Sequence, residues 1–248
     1  MRTFTWVKMI RYISIFAVLM VLIVACRTGV RKDNLSAVDS FGRLDSVMAG
    51  NFDERHSLDT LSGLKNIYAL GAMDSLAGEL QIFDGQPFHS YMERDSVMVD
   101  SYSNPDAALL VYCQVDEWRD LSIPLSVPNI EAFVGFLEYN EDLQIETGRP
   151  FMFQIEGVVE QLDWHVLNRP QFDSIPMNGN HLYNAGRGSL SDVDVNILGV
   201  YSRAHEGIFT HHNMPVHMHF KTTDGLLAGH VEELELGPDM SLKIPRTN

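Results

Sequence analysis

The stretch VHMHFKTTDGLLAGHVEELEL, residues 216–236, constrains the fold more tightly than any other part of the chain. Asp224-Gly225 suits a two-residue turn because both positions tolerate positive φ, and apolar and polar residues alternate on either side. The pattern predicts a β-hairpin. With that turn as the loop, Thr223 pairs with Leu226, and His219 falls directly across the ladder from His230. Their Cβ atoms then lie ~4.5–5.5 Å apart on one face. His217, two residues from His219, projects from the same face. Three imidazoles converging from adjacent strands can hold a metal ion at ~2.0–2.1 Å and leave a fourth position open. A four-residue loop keeps this register, whereas a loop of three or five turns His230 to the other face.

The segment HHNMPVHMHF, residues 211–220, leads into this hairpin. Parity sends Met218 to the face opposite His217 and His219, and so into the core. His211, His212 and Met214 precede the strand and are expected in a solvated loop, with a copper-collecting patch as the alternative.

The rest of the chain predicts strands with a few helices. Residues 27–56 read as a tether with a short helix, and 57–71 as a second helix ending near Gly71. Residues 79–83 and 86–90 flank Asp84-Gly85, a second hairpin turn. Residues 107–115 form a strand, 128–140 carry helix-period apolar positions, and 150–167 alternate as a long strand or a hairpin bending near Gly157. Residues 168–192, rich in Pro, Asn, Gly and Ser, read as a loop, and 193–236 are strand-rich. The expected architecture is α+β or mixed α/β, strand-rich and two-lobed, with a metal site on the C-terminal β-hairpin.

At the N-terminus, Arg2, Lys8 and Arg11 precede an apolar run from Ile13 to Ala25 that ends in LIVAC at Cys26. Thirteen residues at ~1.5 Å each reach about 20 Å, short of the ~30 Å hydrocarbon core. The run is expected to be a secretory signal, residues 1–26, resembling a bacterial lipobox with Cys26 as the lipidated residue. The folded part would then lie outside the cytoplasm, tethered to a membrane in the cell envelope. The formal net charge is −15, and it falls to −18 without residues 1–26, whose charged side chains are those three basic ones. Such a globule repels polyanions, which excludes nucleic acid as a partner. With Cys26 lipidated, Cys113 has no disulfide partner in the chain and reads as a core residue.

HMHF with DGLLAGHV downstream resembles the metal-binding hairpin of the acetolactate decarboxylases. NIYALGAMDSLAGELQIFDGQPF, RPFMFQIEGVVE and VNILGVYSR resemble further segments of that family, in the same order. The resemblance implies a domain over residues 57–248 that decarboxylates 2-acetolactate to acetoin, using zinc held by His217, His219 and His230. It also implies a pocket role for Glu79, as the acid that protonates the enediolate. One departure is Gln154, at the position of the family's arginine: it can hydrogen-bond a substrate carboxylate but cannot neutralise it. The expected partners are a small anionic oxo-acid, the membrane through the lipid anchor alone, and a second copy of the chain in a homodimer. Two alternatives stay open, a related reaction on another small oxo-acid and a non-catalytic zinc- or copper-binding lipoprotein.

Overall fold

Two antiparallel sheets carry nearly all of the structure. The computed structural model describes residues 37–51, 55–143, 148–169 and 184–246. Residues 1–26, expected to be a secretory signal ending at Cys26, lie outside these residues. The first sheet contains β1 (Asp39–Phe41), β2 (His56–Ser57), β3 (Ile67–Met73), β4 (Glu79–Phe83), β5 (Gln86–Pro87), β6 (His89–Glu93), β7 (Ser96–Asp100) and β8 (Asp106–Gln114). Its order is β1-β8-β3-β4-β6-β7, with β2 added to β8 and β5 to β4. Between β1 and β2 lies the short helix α1 (Leu44–Met48).

The second sheet contains β9 (Trp118–Ser122), β10 (Phe151–Val166), β11 (Gly186–Tyr201), β12 (Val216–Thr222), β13 (Ala228–Glu235) and β14 (Ser241–Pro245). The path runs β11-β12-β13-β10-β14-β9, and β11 also pairs with β10. Strands β10 to β13 therefore close into a ring. Phe153, Ile155, Ile197, Met218, Phe220 and Val231 point into it. Helix α2 (Ile130–Tyr139) adds Phe133 and Leu137 to the same core. Asn129 starts this helix by accepting a hydrogen bond from the Ala132 amide. On the ring's outer face Met152, Leu198 and Val200 pack with Tyr68, Leu70 and Val111 of the first sheet. The candidate site lies on this seam between the sheets.

The Asp84-Gly85 turn forms as its sequence requires, with φ of 52° and 77°. Of the two forms expected for residues 150–167 the long strand is found, unbroken over the 16 residues Phe151–Val166. Three expectations change. Residues 57–71 hold a 3-10 turn (Leu58–Leu61) and then β3, not an α-helix. The segment IYALGA is buried on both faces, and a continuous apolar run of that length does not distinguish helix from strand. Gly71 permits the close strand contact, since a Cβ there would sit 2.0 Å from the Leu109 carbonyl oxygen. The short helix expected within residues 27–56 forms at Leu44–Met48, but residues 39–48 are not a tether: they pack into the body through Leu44 and Val47, within a compact unit spanning Leu35–Arg246. The loop expected over 168–192 ends early, because β11 begins at Gly186.

Candidate metal centre

His219 pairs with His230 across the β12–β13 ladder, the register that parity gave. The loop has four residues, closed by the Thr222 amide donating to the Leu227 carbonyl at 2.8 Å. Met218 faces the ring core, so His217 and His219 face the seam. The ring centroids of His217, His219 and His230 lie 5.0, 5.0 and 5.3 Å apart.

Hydrogen bonds settle which nitrogen each imidazole presents. Gln81 Nε2 donates to the Ser90 hydroxyl at 3.1 Å and to the Phe88 carbonyl, so its Oε1 is left to face His219. That oxygen accepts from His219 Nδ1 at 2.8 Å. His217 Nδ1 donates to the Phe209 carbonyl at 3.0 Å, and His230 Nδ1 to the Val231 carbonyl at 3.3 Å. Each acceptor lacks a proton to give, so each Nδ1 carries the hydrogen and each Nε2 presents a lone pair. His217 Nε2 and His219 Nε2 stand 3.2 Å apart. Two lone pairs at that separation repel unless a positive charge lies between them. Tetrahedral zinc with bonds of ~2.0–2.1 Å sets neighbouring nitrogens about 3.4 Å apart, close to this spacing. The donor set fits a divalent cation.

Burial reinforces this. It pushes His217 down to about 3 and holds His219 and His230 well below the usual imidazole range, which keeps all three neutral. Neutral imidazole is the form that binds metal.

Glu79, the first residue of β4, is buried at 2% exposure, and its Oε2 is 3.8 Å from His219 Nε2. Burial raises it to about 7, against the pull of nearby His165 and of the Leu167 amide, which donates to Oε1 at 3.0 Å. A carboxyl poised there is protonated far more often than a solvated one, as a proton donor at neutral pH must be.

Residues that the sequence reading missed complete the centre. His165, near the end of β10, pairs with His230 in the ladder. Its Nε2 is 3.5 Å from Glu79 Oε1 and its Nδ1 is 2.6 Å from Glu232 Oε1. His165 lowers Glu232, chiefly through that hydrogen bond. Gln81 could have been found, because it lies two residues from Glu79 on one strand and so shares its face. His165 had no local signal, since its place depends on the β10–β13 register. His211, expected in solvent, instead lines the cavities described next and is partly buried. The donor atoms of His211, His217 and His230 all lie within 4.8 Å of one another.

Two cavities meet the cluster. The inner one, of about 40 Å³, reaches Glu79, Leu76, Leu109 and the histidines. The outer one, of about 330 Å³, runs past His211, His230 and Glu232. Gln154 lines neither. It pairs with Leu198 of β11, which pairs in turn with His219, so a whole strand separates the two, about 10 Å by strand spacing. The structure thus brings Glu79, His217, His219 and His230 together and leaves Gln154 apart. Every lysine and arginine beyond residue 36 is among the described residues, and none lines either cavity. Arg203 is bound to Glu138 at 2.7 Å.

Comparison with known proteins agrees with this geometry. A family profile for alpha-acetolactate decarboxylase matches residues 40–248. Among solved structures, alpha-acetolactate decarboxylase from Bacillus subtilis strain 168 superposes with a TM-score of 0.68 at 17% identity, covering 86% of each chain. A Staphylococcus aureus protein of unknown function, described as similar to alpha-acetolactate decarboxylase, gives 0.67 at 13% identity, again over 86% of each chain. At these identities the likeness establishes the fold. No curated protein matches the chain in a sequence search.

Proposed function

Since the chain belongs to the alpha-acetolactate decarboxylase family, a family of carbon–carbon lyases, we propose that it decarboxylates 2-acetolactate, or a closely related small oxo-acid, with zinc held by His217, His219 and His230. The observation that carries this reading is the clustering of His217, His219 and His230, with ring centroids 5.0–5.3 Å apart and each Nδ1 hydrogen-bonded so that Nε2 is free, beside a buried carboxyl.

Bound there, a divalent cation supplies Lewis acidity towards the oxygen on which negative charge gathers as CO₂ leaves. The carbon that loses CO₂ must then gain a proton. Glu79, held at about 7, donates it from the seam side. The Leu167 amide and His165 fix the carboxyl's orientation and steady its charged form after the proton has gone. Leu76 and Leu109 keep the inner cavity apolar, so the proton goes to carbon rather than exchanging with bulk water.

A second reading has one observation in its favour. Among the described residues the cavity linings hold no lysine or arginine to offset a substrate carboxylate, and a non-catalytic protein that stores zinc or copper needs none. Acetoin formation from racemic acetolactate, measured on the full chain with its zinc content, separates the two. Turnover at about one zinc per chain is expected. Zinc bound without acetoin would leave the storage reading standing. Glu79→Gln should keep the zinc and slow acetoin formation at least 100-fold, within the range for loss of a general acid.

A further inference from the structure

His211 stands only slightly farther from His217 and His230 than the three clustered histidines stand from one another. Its ring centroid is 5.7 Å from that of His217 and 5.6 Å from that of His230, against 5.0–5.3 Å within the trio. Its donor atom is within 4.8 Å of those of His217 and His230. Like His217 and His230, it lines both the inner and the outer cavity.

The loop that bears it, between β11 and β12, is bonded in place on both sides. Gly207 donates to the Thr210 carbonyl at 2.8 Å, the Thr210 hydroxyl to the Ser202 carbonyl at 3.3 Å, and the Asn213 amide to Glu206 Oε2 at 3.1 Å. The same loop supplies the Phe209 carbonyl that fixes His217. One short segment therefore both orients a strand-borne histidine and carries a further imidazole to its edge. We propose that His211 is a fourth ligand, so that the cation is held by the imidazoles of His211, His217, His219 and His230.

The inference rests on the metal reading above and adds a chemical consequence. Three strand-borne imidazoles leave a tetrahedral ion one open position, whereas four fill it. Contraction from at most 4.8 Å to the about 3.4 Å of a tetrahedral edge needs no more than roughly 1.4 Å of movement. A loop can supply that more readily than a paired strand, so His211 is the ligand an incoming oxygen would displace.

The test uses the full chain loaded with zinc or cobalt. X-ray absorption should count four imidazoles in the wild type and three in His211→Ala. Competition against a chromophoric chelator should show zinc affinity falling 10- to 100-fold in His211→Ala and in His211→Gln, while His212→Ala, next to it but exposed, changes nothing. The unfolding midpoint of the metal-free variants serves to show that they fold. Three imidazoles in the wild type, with affinity unmoved by either His211 variant, would overturn the proposal while leaving the three-histidine site intact. A folded wild type that binds no zinc would remove both readings together.

Discussion

The side chain of Gln81 carries one acceptor, and His219 takes it. Replacing it leaves His219 Nδ1 without an oriented partner inside a buried site. Outer partners of this kind are worth ~10- to 100-fold in metal affinity. Gln81→Leu is expected to weaken zinc by that factor in a chelator competition, while Gln81→Glu, which keeps an acceptor, should hold the metal at least as well as the wild type. The histidines of the hairpin were legible in the sequence because a turn of known length and a period of two fix which residues face each other. Glu79 came from the family resemblance, and Gln81 follows from it by parity. His165 and Glu232 were not legible, since a register between strands that turns do not join has no local signature. His211 was misplaced for a related reason: loop residues follow no period, and only the hydrogen bonds around residues 205–214 bring it inward. Gln154 was over-read, because a matching position in a strand says nothing about what stands between it and the site.

At the scale of elements, the β12–β13 hairpin and strand β3 make opposite lessons. The hairpin turn closes a four-residue loop, and its even length keeps His230 opposite His219. One glycine inserted after Gly225 should turn His230 to the ring core or unpair it, and zinc binding should drop towards none while the insertion of two residues restores part of it. Zinc stoichiometry after dialysis reads the difference. Strand β3 was hidden by its own burial: a run with no polar face has no period to detect. What settles it is Gly71, whose backbone lies against Leu109 too closely for any side chain. Gly71→Ala is expected to cost at least about 2 kcal/mol, since the obstacle is backbone and cannot swing away. A lowered urea midpoint at unchanged slope would register it.

Across the whole molecule, buried neutral bases set the response to acid. His89, on β6 of the first sheet, is pushed down to about 4 by burial, against the opposing pull of Asp100. Unfolded, it returns to about 6.5. Its contribution is therefore present above pH 6.5 and lost as pH falls towards 4, at most about 3 kcal/mol over that window. Urea midpoints at pH 7.5 and 4.5 should differ less in His89→Phe than in the wild type; an identical loss in both would refute the assignment. The closed ring has a consequence in time. Strand β10 completes it by pairing with β13, from residue 165 across to residue 230, so closure is a late and non-local event. The β12–β13 hairpin is local and can form within ~1–10 μs, whereas long-range β closure takes ms to seconds. An ion can therefore be captured while the chain is still open, before the walls that bury His217 and His219 are in place. Once the first sheet has packed over the seam and buried His217 and His219, that ion is kinetically trapped: labelled zinc should enter readily during refolding and exchange slowly with the finished protein.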